Sequence, residues 1–346
     1  MRPNIGVIGC GSIAKFHFDA LEKAGVCVVH VSDINETAGK PYAARFGARF
    51  SQDYEKLIAD PEVSAVFVLT NSKYHKEICL SALQAKKDIV CEKTMMNDAQ
   101  ESFLIANKVK KENVLFFTAY MKRFFPAVRK MNELIPSLGT IFSTQIRTYQ
   151  AWGNLFDITD SENFNWILEG YGGGVIKCAG SHMLDLMLHF LGRPERSYAS
   201  VDYVANSSLD RKAVALFEYS NGSTVSFEAA AHPLKKIGFE RNSWDEHIQI
   251  NGVNGRLDLY PVIWNEPMNN AALLVHYDNI SETSTEYRFD RINPFDVEIS
   301  YFCDCLERRE QGHPDVIDGF NADVLIHSLT ESGKIKLPVV IDWKGL

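Results

Sequence analysis

The sequence predicts two domains: an α/β domain on a doubly wound parallel sheet, then an α+β domain on a mainly antiparallel sheet. Three observations carry this. The chain has 346 residues, too many for one small core. Its first third alternates short, wholly apolar runs with helical stretches, as parallel strands buried on both faces and joined by crossover helices do. After about Met121 the pattern changes to a succession of strand-length segments interrupted by two helices. The division is expected after residue 122, giving domains of residues 1–122 and 123–346.

Taken in order, Asn4-Ile5-Gly6-Val7-Ile8 is the first apolar run, and Gly9-Cys10-Gly11-Ser12-Ile13-Ala14 follows at once, opening a helix that reaches about Ala24. Cys27-Val28-Val29-His30-Val31 is the second strand, with Asp33 at its end. Residues 37–46 form a helix, 48–50 a short strand, and 53–59 a helix stopped near Asp60-Pro61. The apolar run 65–69 is a buried strand, followed by a helix over 75–86, a strand over 88–91, a helix over 99–112 and a strand over 114–117. A connecting helix over 123–134 leads into the second domain. There 140–149, 197–204, 213–219, 224–231, 246–251, 256–259 and 273–277 are strands, with Asn221-Gly222 as a hairpin turn. Helices cover 181–191, closed by Gly192-Arg193-Pro194, and 295–311, closed by Gly312. The sequence shows no repeat, linker or low-complexity segment.

The stretch from residue 4 to 33 also carries chemistry. Gly9 allows the tight turn out of the strand, and Gly11 has no Cβ to block a pyrophosphate. Ala14 is small enough for helix to pack on strand, and the helix N-terminus offers free N–H groups to phosphate. Asp33 can accept hydrogen bonds from the adenosine ribose hydroxyls. Strand, glycine turn, helix, strand and acid in register specify a Rossmann dinucleotide site, with Gly9, Cys10, Gly11, Ser12, Ile13, Ala14 and Asp33 as its residues. A carboxylate repels a 2′-phosphate, so Asp33 favours NAD over NADP. Ligands of such sheets bind at the carboxyl ends of the strands, which adds Thr70, Asn71 and His75 from one loop and Glu92 and Lys93 from another. A lysine beside a nicotinamide can hydrogen-bond a substrate hydroxyl and stabilise an oxyanion as hydride leaves; the plainer alternative is a solvated Glu–Lys pair.

Composition narrows the partners. Hydrophobic content of 46% and charged content of 23% are ordinary for a globular protein. A formal charge of −8 and the lack of a basic run argue against nucleic acid. The longest apolar stretches are strand-length, so no membrane span is expected. With the first strand near residue 4, no signal or transit peptide is expected. The seven cysteines are scattered, and Cys303 and Cys305 lack a metal or redox spacing, which fits buried thiols in a reducing cytoplasm.

A second constellation runs Gly172-Gly173-Gly174-Val175-Ile176-Lys177-Cys178-Ala179-Gly180-Ser181-His182-Met183-Leu184-Asp185. Three glycines let backbone approach a ligand or another chain closely. His182 is expected near a helix N-terminus, where the dipole lowers an imidazole pKa and keeps it neutral and able to accept a proton. A structural histidine is the alternative. The helix places His182, Asp185 and His189 on one side, but no further ligand lies nearby, so no metal is expected.

These pieces together resemble the glucose–fructose oxidoreductase / inositol dehydrogenase / rhizopine-catabolism (Gfo/Idh/MocA) family over nearly the whole chain. The matching motifs are Gly9-x-Gly11-x-x-Ala14, Asp33, Thr70 with His75, Glu92-Lys93, Arg123-Phe124-x-Pro126, and Gly172-Gly173-Gly174 leading to Gly180-x-His182-x-x-Asp185. The tail Asp318-Gly319…Ser328…Glu331-Ser332-Gly333 is similar too. The resemblance implies a second domain with a large open-faced sheet that assembles homodimers or homotetramers. It also implies a nicotinamide cofactor and a polyol, sugar or sugar-derivative substrate, with Lys93 and His182 as the catalytic pair. Two departures stand out. Thr94 follows Lys93 where the family often has proline, and Cys178 stands where many members carry an aspartate that contacts substrate and supports the histidine. A neutral thiol cannot stabilise an imidazolium as a carboxylate does. Lys177 beside it either supplies a charged substrate contact or is solvated. Lys93, Lys177, Cys178 and His182 are thus the expected substrate-binding residues.

The function expected is an NAD-dependent dehydrogenase (NADP as the lesser choice) acting on a secondary alcohol of a sugar, sugar derivative or cyclitol. Two alternatives stay open: a non-catalytic regulator that binds NAD or sugar, and an NAD-dependent glycoside-cleaving enzyme that oxidises C3 transiently.

Overall fold

The computed structural model of the chain describes residues 2–152, 172–268 and 271–346. They fall into two compact units, one of residues 1–121, 294–323 and 344–346, the other of residues 122–293 and 324–343.

The first unit is built on β1 (Asn4–Ile8), β2 (Cys27–Ser32), β3 (Arg49–Ser51), β4 (Ala65–Val68), β5 (Asp88–Glu92) and β6 (Phe116–Ala119). All neighbours are parallel, in the order β3-β2-β1-β4-β5-β6. Strands β4, β5 and β6 are buried at every position. Their interiors are mostly apolar, with the charges of β5 at its two ends, because crossover helices pack over the sheet: α1 (Ala14–Ala24), α2 (Glu36–Phe46), α3 (Tyr54–Ile58), α4 (His75–Gln84) and α5 (Ala99–Val109). The strand order reverses between β1 and β4. Their carboxyl ends therefore form the switch point at which doubly wound sheets bind ligands.

The second unit starts with α6 (Pro126–Leu134) and contains α7 (Ser181–Leu191). Its strands are β7 (Ile141–Gln150), β8 (Arg196–Tyr203), β9 (Asp210–Glu218), β10 (Thr224–Ala231), β11 (Asp245–Gly252), β12 (Gly255–Tyr260), β13 (Leu273–Asp278), β14 (Thr283–Arg288) and β15 (Val339–Val340). They form one sheet in the order β14-β13-β12-β11-β7-β10-β9-β8-β15. Its pairs are antiparallel except β7 with β10. Pleating turns Ile146, Phe217, Val225, Phe227, Ile248, Ile250, Leu257 and Leu259 into the core. On the opposite face Tyr198, Val214, Leu216 and Tyr277 are exposed. This is the α/β plus α+β architecture expected.

The chain crosses back where a single division after residue 122 does not. Helix α8 (Pro294–Arg308) belongs to the first unit and lies against α1. Phe295 stacks on Phe16 with ring centroids 5.0 Å apart, and Lys23 Nζ donates to Asp296 Oδ2 at 2.7 Å. Beyond α8, Gln311 brackets both backbone groups of Phe116, and the Thr118 N–H donates to the Pro314 carbonyl at 3.0 Å, covering the free edge of β6. An amphipathic helix shows in sequence that it has a partner face, not which earlier element supplies the partner.

Helix α9 (Val316–Ile335), β14 and β15 lie outside the predicted elements. The α9 helix is buried nearly all round, so it has no apolar stripe of helical period to detect. The tail motif is explained by packing along it. A Cβ at Gly319 would stand 2.5 Å from Thr118 Oγ1, and one at Gly333 the same distance from Val201 Cγ2. Ser328 hydrogen-bonds Ser197, while Ser332 Oγ accepts the Ala199 N–H at 2.9 Å and donates to the Leu337 carbonyl at 2.7 Å. No helix among the described residues is long and apolar enough to cross a membrane.

Candidate active site

In the first unit the turn after β1 sits at the switch point. Gly9 has φ 98°, and a Cβ there would stand 2.8 Å from the Leu69 carbonyl carbon at the end of β4, so only glycine fits. Gly11 differs, because a Cβ there would meet nothing within 4 Å. Among the described residues no packing requires this glycine, and the open space suits close approach of a ligand. Helix α1 opens at Ile13 without a side-chain cap, whereas Asn35 and Asp98 cap α2 and α5. Its leading N–H groups thus suit a phosphate. Ser12 is exposed, and Ala14 is fully buried where α1 lies on the sheet.

Asp33 borders the same turn. Its Oδ2 accepts the Cys10 N–H at 2.6 Å and its Oδ1 the Asn35 N–H at 2.7 Å. A carboxylate accepts about four hydrogen bonds, so capacity remains for ribose hydroxyls. Burial first, and the Asp33 charge second, push the Cys10 thiol up to about 12. Cys10 is therefore a neutral side chain that contributes its backbone N–H, not a nucleophile. Glycine turn, uncapped helix and half-buried acid together fit a dinucleotide.

At the end of β4, Thr70 is half-buried and Asn71 exposed. His75 is placed differently from expectation: it is fully buried. Its Nε2 lies 2.9 Å from the Thr70 carbonyl, and its Nδ1 lies 3.1 Å from the Thr94 and Met95 carbonyls and 3.3 Å from Cys91 Sγ. Burial lowers its pKa and keeps the ring neutral. His75 braces the loops after β4 and β5 and presents no atom to a ligand.

Glu92, also expected at the cofactor, is turned inward too. Its Oε1 lies 2.7 Å from His17 Nε2, and its Oε2 accepts the Lys93 N–H at 2.9 Å. Lys93 is half-buried at the strand end, and the Lys93–Thr94 peptide is cis. His17 is absent from the sequence reading, although a signal existed: a histidine on the stripe formed with Ala14, Phe18 and Leu21, all of which are buried.

In the second unit, the last of the three glycines meets the chain's own backbone. A Cβ at Gly174 would stand 1.8 Å from the Asp210 carbonyl oxygen, so β9 and not a ligand requires this glycine. Asp210 accepts the Gly174 N–H at 2.6 Å and the Ile176 N–H at 2.8 Å. Burial raises its pKa, and those two N–H groups and then Lys177 oppose the rise. A π-helical turn, Ile176–Gly180, follows and runs straight into α7. His182 is therefore not at a free helix N-terminus. The helical stretch starts more than a turn earlier and is capped by a carboxylate, so the expected dipole effect on His182 does not apply. Such π turns recur at functional sites. This one carries half-buried Lys177 and Cys178 one turn before buried His182.

Asp185 is bound by Arg123 through both oxygens, Nε to Oδ2 at 2.9 Å and Nη2 to Oδ1 at 2.6 Å. This commits it to a buried ion pair and separates it from any set with His182 and His189. The cluster of metal-type side chains found among the described residues, His313, Asp315 and Asp318, is the cap of α9. A buried network also escaped the sequence reading. Lys122 donates to Glu246, which accepts from Thr148 Oγ1 at 2.9 Å, which in turn accepts from Gln150 Nε2 at 2.8 Å. Lys122, Glu246 and the Thr148–Gln150 pair lie far apart in sequence, so no spacing announces it.

Residues 3–120 match the family model described as oxidoreductase family, NAD-binding Rossmann fold, and residues 128–258 match the GFO/IDH/MocA C-terminal domain. The chain belongs to the Gfo/Idh/MocA family. An oxidoreductase of Formosa agariphila is 30% identical over 201 residues, which are 56% of this chain and 62% of that protein. The chain thus spans about three fifths of that relative's length. D-xylose 1-dehydrogenase (NADP(+)) 2 of Haloferax volcanii is 23% identical over 290 residues, 84% of each chain. Among solved structures, levoglucosan dehydrogenase in complex with NADH and levoglucosan shares the Gfo/Idh/MocA fold with a TM-score of 0.83 and 18% identity, over 99% of this chain and 100% of that one.

Proposed function

We propose that this Gfo/Idh/MocA member is an NAD-dependent dehydrogenase acting on a secondary hydroxyl of a sugar, sugar derivative or cyclitol. The carrying observation is the anchoring of the Lys93 loop: Glu92 uses both carboxylate oxygens to tie it to His17 on α1, the helix that opens at the glycine turn. The sugar class draws on the relatives named for D-xylose and levoglucosan. Gly9, Gly11, the α1 N-terminus and Asp33 hold the dinucleotide, whose nicotinamide supplies the hydride acceptor. Asp33 sets the choice of NAD, since no arginine follows it to receive a 2′-phosphate. Lys93 donates a hydrogen bond to the substrate oxygen and stabilises the charge that grows there. His182 accepts the hydroxyl proton. On the turn before His182, Cys178 supplies no carboxylate, and Lys177 is the charged contact for substrate. The partner is a second copy, in a dimer or tetramer built through the exposed face of the nine-stranded sheet.

Absorbance of NADH over a panel of sugars and inositols tests the reading. Net NADH formation with one of them is expected. Aglycone release without net NADH would indicate the glycoside-cleaving alternative, and binding without turnover a regulator. Lys93→Ala should lower kcat by about 10² or more and leave NADH affinity within a few fold. Near-native turnover would remove Lys93 from the chemistry.

A further inference from the structure

His17 sits one turn inside α1, the helix whose N-terminus faces the dinucleotide. Its ring is fully buried and edge-on to two phenylalanines, Phe67 at 6.3 Å and Phe295 at 5.6 Å between centroids. The packing fixes the plane of the imidazole, and Nε2 meets Glu92 Oε1 at 2.7 Å. The other oxygen of Glu92 holds the Lys93 N–H at 2.9 Å. Burying a histidine–carboxylate pair is no more favourable than burying apolar side chains of the same shape. Stability alone therefore does not account for the pair. What it does achieve is geometric. With both oxygens engaged, Glu92 cannot rotate, and the Lys93 peptide is tied through it to α1.

We propose that His17 and Glu92 are positioning residues, linking the phosphate-binding helix to the loop that carries Lys93 and fixing where that lysine stands against the bound dinucleotide. This rests on the reading of Lys93 as the group that contacts the substrate oxygen. When His17 is lost, Glu92 Oε1 is released, the carboxylate turns, and the Lys93 backbone loses its oriented acceptor. A misplacement of about 1 Å at a reacting group lowers turnover by roughly 10²-fold. Cofactor and substrate affinity, set by other residues, change little.

The test compares His17→Leu, Glu92→Leu and His17→Gln with wild type, and Lys93→Ala as a control. Four quantities are read: kcat, KM, NADH affinity by fluorescence titration, and the NMR signal of Lys93 after reductive 13C-dimethylation of the nucleotide-free protein. That signal is assigned by its loss in Lys93→Arg. His17→Leu and Glu92→Leu should each lower kcat by about 10- to 100-fold, with KM and NADH affinity within about threefold, and should shift the Lys93 signal. His17→Gln, whose amide nitrogen replaces imidazole Nε2, should recover most of the loss. Native kcat and an unshifted Lys93 signal in a folded leucine variant would overturn the proposal, even where thermal stability falls. If His17→Leu does not fold, Glu92→Leu and the recovery in His17→Gln carry the same decision. If Lys93→Ala turns over normally, the reading of Lys93 fails, while the Lys93 signal still reports whether the pair positions that loop.

Discussion

Asp33 joins three parts of the dinucleotide site at one carboxylate. It accepts from Cys10 on the glycine turn and from Asn35 at the start of α2, which leaves lone pairs for the ribose of the proposed dinucleotide. Asp33→Ser with Ile34→Arg removes the charge that repels a 2′-phosphate and adds a guanidinium that binds one. Preference should move from NAD(H) to NADP(H) in a fluorescence titration. The same double variant loses the charge-assisted bond to Cys10, so its thermal stability should fall as well. A tenfold NADP(H) preference in the wild type would refute the role given to Asp33. His75 makes a different prediction. Burial depresses its pKa in the folded protein, while the unfolded chain takes up a proton near pH 6.5. The unfolded state then binds more protons, so the His75 contribution to stability is lost as pH falls through about 6.5. His232 is buried with the same sign. Melting temperature should drop between pH 7 and 5, and the drop should be smaller in His75→Gln. Equal slopes in the two proteins would mean that His75 does not titrate on unfolding.

Among the elements, the turn from β1 into α1 separates a glycine required by the fold from one that the proposed dinucleotide would require. Gly9→Ala forces a side chain into left-handed backbone and against Leu69, so it should lower thermal stability. Gly11→Ala has open space, so the melting temperature should stay within about 2 °C while NADH affinity falls at least tenfold. Loss of stability in Gly11→Ala would return that residue to packing. This unit was legible in sequence because each of its signals is local: glycine spacing, apolar runs and an acid at a strand end. Less was legible where the cause lies elsewhere in the chain. The β7–β10 pair is parallel, but alternation in a single strand does not name its neighbour. Strand β14, Thr283–Arg288, is polar and exposed at nearly every position, so it lacks the half-buried alternation that marks a strand. The π turn before α7 depends on Asp210, which arrives from β9. His75 and Glu92 are expected at the cofactor from sequence, but the Thr70, Thr94 and Met95 carbonyls turn the first inward and His17 the second, and these partners arrive from other elements.

Across the whole molecule, the second unit leaves apolar side chains on the face of its sheet away from the core. Tyr198 pairs with Leu216, and Ser200 with Val214, on adjacent strands, so Tyr198, Leu216 and Val214 form one contiguous patch. The proposed assembly uses this face. Light scattering should give the mass of a dimer or tetramer, and Val214→Glu with Leu216→Glu should reduce it to a smaller species. A wild-type monomer at micromolar concentration would rule the sheet out as an interface.

The return of the chain through α8 bears on how the protein is made. A ribosome delivers residues in order, so β1 to β6 emerge some 170 residues before Pro294, Phe295 and Asp296 exist to cover α1, or Gln311 and Pro314 to cover the edge of β6. For that interval the nascent nucleotide-binding half shows an apolar helix face and an open strand edge, the two features that invite aggregation and chaperone capture. A fragment ending at Met121 would carry both defects permanently and should precipitate. A circular permutant that begins at residue 291 and joins Leu346 to Met1 by a flexible linker would synthesise α8 first, and should fold with less help from chaperones.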